Sequence, residues 1–432
     1  MKKQFLGSLM ALAFVGGLAA CSSDSKSNDD SAGGGGGGGG SGGSSAGGGG
    51  GKAAGGSGGS AGGAAGAAGG AGGAAGAAGG AGGAAGGAAG NAGGAAGQAV
   101  AVNVASDFKC PAGMTYGDPL PAEAMRKLTL VKDGLKGGEG GIWVESQKAL
   151  FFSDLQRSAE PAADGQKDAF WRMASSSKIW KHTPENNMTV EWLADAGVNG
   201  MALSADLTKL IIAHIADRSI TSINLVDKVK TKVVDKMMTQ TFNVTNDLTV
   251  RSDGHIYFTD PLWQAHIVGK NPGAPAAGST KVYHMAPGGE VTVVDADRVH
   301  PNGTALSPDG RTLYVGAISG VDQLDSGGWA LAGKLWKYEV KADGSTGPAV
   351  EFASGLKAPD GIVVDCAGNV YVANSPGIVV FKNDGTKIGA IEGLTPTAGL
   401  TNVAFGGSDR KTLFATTNTE LLKIAVNVPG PN

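Results

Sequence analysis

Residues 301–315 read PNGTALSPDGRTLYV, and this stretch contains the unit from which the fold can be predicted. A polar residue and a glycine, Asn302-Gly303, precede an apolar segment, a tight Asp309-Gly310 turn and a second apolar segment. Because Asp-Gly between apolar segments favours a short hairpin turn, the stretch predicts two antiparallel β-strands. We call the polar residue that opens such a unit its lead residue.

The unit occurs six times along the chain. Clear copies read NDLTVRSDGHIYFTDP over residues 246–261 and PDGIVVDCAGNVYVAN over residues 359–374. The six lead residues are Glu139, Asn199, Asn246, Asn302, Asp360 and Asn402. They are 42 to 60 residues apart, a spacing typical of four-stranded propeller blades. No segment shows a sustained helical period with caps, so the sequence predicts an all-β fold, a six-bladed β-propeller.

A ring of such units would bring the lead residues together at one end of a central channel. The last blade begins near residue 400 and is expected to be completed by a strand near residues 125–132, which leaves no open sheet edge. Three insertions, at about 156–177, 262–279 and 319–333, follow the second strand of a blade. We expect them on the same face as the lead residues, where loops usually shape a ligand site.

The N-terminal part of the chain is different. A charged start, Lys2-Lys3, and a short apolar run over residues 5–20 predict a signal peptide over residues 1–21. The run ends Leu18-Ala19-Ala20-Cys21, which resembles the lipobox of bacterial lipoproteins and makes Cys21 the expected lipidation site. An ordinary secretory signal is the alternative. By the same resemblance, Ser22 after the cysteine is typical of lipoproteins of the outer membrane. The folded domain would then face either the periplasm or the cell surface.

Residues 22–105 are mainly Gly, Ala and Ser, and they cannot bury enough apolar surface to offset the entropy of ordering. We therefore expect a disordered linker, followed by the propeller over residues 106–432. The net charge of −3 gives no indication of nucleic-acid binding. Besides Cys21 the chain contains Cys110 and Cys366, which in an oxidising compartment form either a disulfide or two separate buried thiols.

The repeats resemble those of the SMP-30/gluconolactonase/LRE family. The resemblance rests on Glu139-Gly140 with Trp143, on the units led by Asn246, Asn302 and Asp360, and on TNVAFGGSDRKTLFATT over residues 401–417. It covers the chain after about residue 125 and implies a six-bladed propeller with one divalent metal ion at the channel mouth. Many members of the family hydrolyse sugar lactones.

The resemblance also implies roles for individual residues. Glu139, Asn302 and Asp360 match the family's metal ligands, and Asp360 also matches its general base. Asn246 matches a residue that contacts substrate or metal-bound water. Two carboxylates and amide oxygens suit Ca²⁺, with Zn²⁺, Mn²⁺ or Mg²⁺ as alternatives. For each of these residues the competing interpretation is an ordinary turn residue, because Asn, Asp and Gly favour turns.

Two further residues, His214 and Arg218, resemble a His-x-x-x-Arg stretch that contributes to the pocket in the gluconolactonase branch. With Asn199 they complete the expected substrate-binding set; a structural loop histidine is the alternative for His214. The chain departs from the family pattern at Gly141, Thr241 and Ala213, which affects the expected substrate contacts more than the metal ligands.

The resemblance thus implies a metal-dependent lactonase, a carboxylic ester hydrolase that opens the ring of a sugar lactone or a similar small molecule. We expect a monomer that is attached to the membrane only through its lipid. A non-catalytic, metal-stabilised propeller that binds a sugar or a partner at the cell envelope is the alternative function. No Gly-x-Ser-x-Gly elbow in a strand–turn–helix context supports a serine hydrolase.

Overall fold

The computed structural model describes residues 110–156, 177–261, 280–298, 300–318, 332–393 and 399–431. The predicted signal peptide with Cys21, the linker and nearly all of the three insertions lie outside these ranges. Within them, two short 3-10 turns, Glu123–Met125 and Glu145–Gln147, are the helical elements. No helix in these ranges is long and apolar enough to cross a membrane.

The described residues form six four-stranded antiparallel sheets. The first three, from the innermost strand outward, are β2 (Gly138–Val144), β3 (Ala149–Asp154), β4 (Lys178–Thr183) and β5 (Met188–Leu193); β6 (Val198–Leu203), β7 (Lys209–His214), β8 (Ser219–Asn224) and β9 (Lys230–Val234); and β12 (Leu248–Val250), β13 (Ile256–Asp260), β14 (Lys281–Met285) and β15 (Val291–Asp295). A small hairpin, β10 (Lys236–Met237) and β11 (Gln240–Thr241), connects the second sheet to the third.

The remaining sheets continue the pattern. They are β16 (His300–Leu306), β17 (Thr312–Ile318), β18 (Ala332–Glu339) and β19 (Val350–Lys357); β20 (Ile362–Val364), β21 (Val370–Asn374), β22 (Gly377–Phe381) and β23 (Lys387–Glu392); and β24 (Leu400–Gly406), β25 (Thr412–Thr417), β26 (Leu421–Ala425) and β1 (Thr129–Lys132). We number these six sheets as blades 1 to 6 in chain order of their innermost strands.

The blades close into a ring, as the sequence predicted. Each innermost strand contacts the innermost strand of the next blade, from β2 through β6, β12, β16, β20 and β24 back to β2. The N-terminal strand β1 pairs with β26 and completes blade 6, which confirms the predicted closure. The sixth blade is therefore built from both ends of the described propeller. This pairing joins the two ends of the chain, so the ring closes without an unpaired strand at its junction.

An apolar cluster fills the interface between each pair of neighbouring blades. Between blades 6 and 1, for example, Trp143 and Phe152 pack with Phe414 and Leu421, all less than 3% exposed. Burying one such side chain contributes about 1.5–3 kcal/mol to folding, so these interfaces set the relative position of the innermost strands. The strand ends at the channel are thereby held in a fixed arrangement.

The two ends of the channel differ in their connections. The lead residues lie at one end, which we call the mouth end, and the tight turns between the first and second strands of each blade lie at the other, the far end. There Cys110 and Cys366 are joined by a disulfide bond, which settles the question the sequence left open. The N–H of Cys366 also donates to Pro429 O, so both terminal segments of the propeller pack at the far end.

Candidate active site

The lead residues occupy a β-bulge at the start of each innermost strand. In blade 1, Gly138 pairs with Asp154 and Gly141 with Phe152, so that Glu139 and Gly140 together oppose the single residue Ser153. The same two-against-one register occurs at the lead residues of blades 2 to 5, which are Asn199, Asn246, Asn302 and Asp360. Bulges re-aim side chains and are common beside active sites. The structure therefore places five predicted lead residues at equivalent positions.

The sixth lead residue was assigned one position too late. In blade 6, Leu400 pairs with Thr417 and Val403 with Ala415, so Thr401 occupies the lead position and Asn402 the position after it. The Asn402 carboxamide oxygen accepts a hydrogen bond from the N–H of Val403 at 2.9 Å. The bulge register depends on pairing with β25, which residue type alone does not determine.

The position after the lead residue is glycine in four blades because the next blade leaves no room for a side chain. A Cβ on Gly303 would lie 2.0 Å from Asp360 O, and one on Gly140 would lie 2.7 Å from the Cα of Gly200. A Cβ on Gly361 would likewise lie 2.4 Å from the Cγ of Asn402. The lead segments of neighbouring blades are thus in direct backbone contact around the channel.

Hydroxyl groups connect these segments from blade to blade. Ser153 of blade 1 donates to Asn199 O at 2.7 Å, and Thr259 of blade 3 donates to Asn302 O at 2.7 Å. Thr401 of blade 6 donates to the carbonyl of Gly138, beside Glu139, at 2.6 Å and so closes the ring. Each bond satisfies a buried carbonyl and fixes a lead residue against its neighbour.

The predicted metal ligands come from three blades. Glu139, Asn302 and Asp360 are 6%, 4% and 8% exposed. Carboxylate and amide oxygens are the ligands that hard divalent cations prefer. The residues present therefore fit a divalent cation. No group of three His, Cys, Asp or Glu side chains in the described ranges is arranged as a metal site.

His214, one of the predicted substrate-binding residues, lies at the mouth end of β7 and is 8% exposed. Its Nδ1 accepts the backbone N–H of Asp217 at 3.1 Å, so the proton of the neutral ring is on Nε2. Burial lowers the pKa of His214. Gly197 packs against the ring, where a Cβ would lie 2.3 Å from Cε1. The imidazole is therefore a fixed, neutral hydrogen-bond donor.

Arg218, which was predicted to bind substrate, forms hydrogen bonds to the segment that connects blade 2 to blade 3. Its Nε donates to Phe242 O at 2.8 Å and its guanidinium to the Thr241 hydroxyl at 2.6 Å. These bonds tie blade 2 to the segment that leads to Asn246. Asp260 supports the same segment, because its carboxylate accepts the N–H groups of Asn243 and Val244 at 2.9 and 2.7 Å.

The channel between the innermost strands encloses a cavity of about 180 Å³. Asp247 and Asn402 line it, as do Arg251, Gly310 and Pro431. Asp247 was not among the predicted site residues, although it stands directly after a lead residue. It is buried, and its pKa is raised to about 7 because the effect of burial outweighs that of the hydrogen bond from the Thr304 N–H, which lowers it.

The propeller with polar lead residues at one end of the channel agrees with a comparison against known families. Residues 137–419 match the SMP-30/Gluconolactonase/LRE-like region. The chain belongs to this family. The match begins just before Glu139 and includes every lead residue, so the family resemblance drawn from the repeats is confirmed.

Individual relatives are more distant. Over 314 residues the chain is 26% identical to a gluconolactonase of Zymomonas mobilis, covering 70% of this chain and 82% of the relative. It is 24% identical to pentonolactonase XacC of Haloferax volcanii over 299 residues, covering 68% and 85%. A solved structure of a gluconolactonase from Xanthomonas campestris matches with a TM-score of 0.55 and 25% identity, covering 74% of this chain and 97% of that one.

Proposed function

We propose that this protein is a metal-dependent lactonase that opens the ring of a sugar lactone. The observation that carries the proposal is the equivalent placement of Glu139, Asn302 and Asp360 at buried bulges on the mouth end of a propeller of this family. Relatives that share about two thirds of the chain are named as lactonases, which supports the same reaction class.

The three ligands would hold one divalent cation, for which oxygen donors favour Ca²⁺ over softer metals. When bound, such a cation would polarise the lactone carbonyl and stabilise the negative charge that develops on its oxygen. Asp360 takes the proton of the attacking water as general base, and this proton passes to the ring oxygen when the acyl C–O bond breaks. Asn246 and Asn199 orient the lactone hydroxyl groups, and the Nε2–H of His214 donates a hydrogen bond to the substrate. Arg218 keeps the Asn246 segment in place while these contacts form.

Turnover of δ- and γ-sugar lactones, followed by proton release, tests the proposal. We expect turnover that EDTA abolishes and Ca²⁺ restores, and that falls at least 10³-fold in Asp360→Asn because the base and a ligand charge are lost. Asp360→Ala should in addition weaken metal binding. Asp384→Asn is the matched control, because Asp384 is an exposed residue of an outer far-end turn, where its carboxylate accepts the N–H of Thr386.

Activity that persists in both Asp360 variants would overturn the assignment. If the wild-type protein turns over no lactone but its melting temperature rises with metal, a non-catalytic binding function replaces the lactonase proposal.

We further propose that the protein is attached to the outer membrane through lipidated Cys21. The lipobox-like Leu18-Ala19-Ala20-Cys21 motif supports this localisation. In a bacterial host, the full chain should incorporate labelled fatty acid and sediment with membranes, and Cys21→Ser should do neither. Label in the Cys21→Ser variant would contradict the proposal.

A further inference from the structure

We infer that Asp247 is a positioning residue that fixes the lead residue of blade 4, Asn302, against that of blade 3, Asn246. The inference rests on the proposed function, since it assigns to Asn302 a place in that site. It is carried by contacts around Asp247 that no other residue at the equivalent position makes within the described ranges.

The position after the lead residue distinguishes Asp247 from its counterparts. It is glycine in blades 1, 2, 4 and 5, and it is Asn402 in blade 6. The side chain of Asn402 bonds to its own strand, at the N–H of Val403. The side chain of Asp247 instead bonds to the next blade, where its Oδ2 accepts the N–H of Thr304 at 2.9 Å.

A second bond in the same network reaches Asn302 itself. The backbone N–H of Asp247 donates to the hydroxyl oxygen of Thr259 at 3.1 Å, and that hydroxyl donates to Asn302 O at 2.7 Å. Blade 3 therefore holds blade 4 on both sides of the bulge, at the carbonyl of residue 302 and at the amide of residue 304.

The carboxylate has little room to move away from these partners. Asp247 is 8% exposed, and a Cβ placed on Gly200 of blade 2 would lie only 2.3 Å from its Oδ1. Blade 2 thus packs on one side of the carboxylate and blade 4 bonds to the other. Loss of this group would leave the Thr304 N–H buried without its acceptor and would open space in which the bulge can shift.

A small displacement of Asn302 matters because metal ligands and reacting groups must be held to within a fraction of an ångström. Misplacement by about 1 Å can cost 10²-fold in rate. We therefore expect Asp247 to act on the reaction through Asn302 rather than by touching the substrate.

The test compares Asp247→Ala with Asp247→Asn, whose amide oxygen can still accept the Thr304 N–H. Asp365→Asn is the matched control: Asp365 is fully buried and accepts backbone N–H groups at 2.8 and 2.9 Å, but in a far-end turn. The rate of amide hydrogen exchange of residues 300–306 in the metal-free protein measures how firmly the bulge is held. Metal affinity and kcat/KM measure the effect of this positioning on the site.

We expect Asp247→Ala to raise exchange at Thr304 at least 10-fold, to weaken metal binding and to lower kcat/KM about 10²-fold, with Asp247→Asn within about 5-fold of wild type. The control should change neither exchange at Thr304 nor kcat/KM. Unchanged exchange at Thr304 in Asp247→Ala would overturn the inference, as would a failure of Asp247→Asn to restore the wild-type values.

The exchange measurement separates this inference from the proposed function. If the wild-type protein hydrolyses no lactone, the function is wrong, but exchange at Thr304 still decides whether Asp247 positions the bulge. If Asp247→Ala does not fold, Asp247→Gly replaces it, because it also removes the carboxylate and glycine occupies the equivalent position in four other blades. Asp247→Gly should raise exchange at Thr304, whereas Asp247→Asn should not; equal exchange in the two would overturn the inference.

Discussion

The two ends of the channel are built from the same strands, yet their polar residues are used differently. At the far end, Asp365 accepts N–H groups of Ala367 and Asn369 and so completes its own turn. At the mouth end, Asp247 bonds to Thr304 of the next blade, and Thr401 reaches across the junction of the first and last blades. The far-end carboxylate of Asp365 thus stabilises a single hairpin, whereas the two mouth-end groups align separate blades. Arg251 also joins blades at the far end, since its guanidinium donates to the carbonyls of Lys341 and Ala342 in blade 4. Changes at the mouth end should affect activity, and changes at the far end stability alone.

The strongest way to break this comparison is to add one methyl group at each end. Gly303→Ala places a Cβ 2.0 Å from Asp360 O, where the obstacle is backbone and cannot rotate away. We expect it to cost about 3 kcal/mol or more of stability and to abolish turnover. Gly310→Ala at the far end meets only the side chain of Arg251 at 3.2 Å, but at a φ of +67°. It should cost about 1–2 kcal/mol, because a residue with a Cβ is strained in this left-handed conformation.

Urea unfolding and kcat/KM of the two alanine variants provide the measurement. The contrast between the two ends is wrong if Gly303→Ala keeps the wild-type kcat/KM. It is also wrong if folded Gly310→Ala loses as much kcat/KM as Gly303→Ala does.

Removal of the disulfide should affect stability without affecting the site. Cys110 and Cys366 are 256 residues apart, so the bond constrains a long loop in the unfolded chain. In the double variant Cys110→Ser, Cys366→Ser we expect a loss of about 2–4 kcal/mol. Below the unfolding transition, kcat/KM should stay within about 2-fold of wild type. A large fall in kcat/KM of the folded variant would show that the far end also controls the mouth.

The ring closure at the mouth end can be tested with a pair of nearly isosteric changes. Thr401→Val removes the hydroxyl that donates to the carbonyl of Gly138, the neighbour of Glu139, whereas Thr401→Ser keeps it. Leaving this carbonyl unsatisfied costs about 1–3 kcal/mol. We expect Thr401→Val to lower both stability and metal affinity and Thr401→Ser to retain them, as measured by metal-induced shifts in melting temperature. Equal metal affinity in the two variants would remove Thr401 from the site's support.

Features of the fold that depend on local sequence patterns could be predicted from the sequence. The repeat, the all-β class and the completion of the last blade by an N-terminal strand follow from local patterns, namely apolar alternation and Asp-Gly turns. Glu139 was predicted as a lead residue from the repeat, and its place beside glycine pairs argued against an ordinary turn residue. Features that depend on pairing between strands were not accessible. The one-residue shift from Asn402 to Thr401 is set by the register with β25.

Contacts between blades were equally hidden from the sequence. Asp247 reads as the second letter of an Asn-Asp turn, and only its bond to Thr304, 57 residues away, shows another use. Likewise, the bonds of Arg218 to Thr241 and Phe242 tie blade 2 to the segment that leads into blade 3. A useful signal was present in the repeat, since Asp247 interrupts a position that is otherwise mostly glycine.

The smallest expected effect concerns pH and a histidine pair at the far end of blade 3. His255 Nδ1 and His284 Nε2 lie 2.7 Å apart, and Nδ1 of His284 is 3.2 Å from the hydroxyl of Thr292. The pKa of His284 is lowered to about 4, first by burial and then by the charges of His255 and Arg251, which together outweigh the raising effect of Asp343 and Asp253. The buried Tyr257 stacks on the same ring.

An unfolded histidine has a pKa of about 6.5, so between about pH 6.5 and pH 4 the unfolded chain binds more protons at His284 than the folded chain does. The stability contributed by the neutral pair is therefore present above pH 6.5 and is lost as the pH falls towards 4. His284→Gln should remove this part of the slope when urea unfolding is compared at pH 7, 6 and 5. The raised pKa values of Asp247 and Asp260 act in the opposite direction, but they are common to both proteins and cancel in the difference.

At pH 7 the variant should keep wild-type kcat/KM, because the pair lies at the far end. An identical pH slope in the two proteins would mean that the pair adds nothing to stability, and a loss of activity at pH 7 would mean that the two ends are coupled through β13.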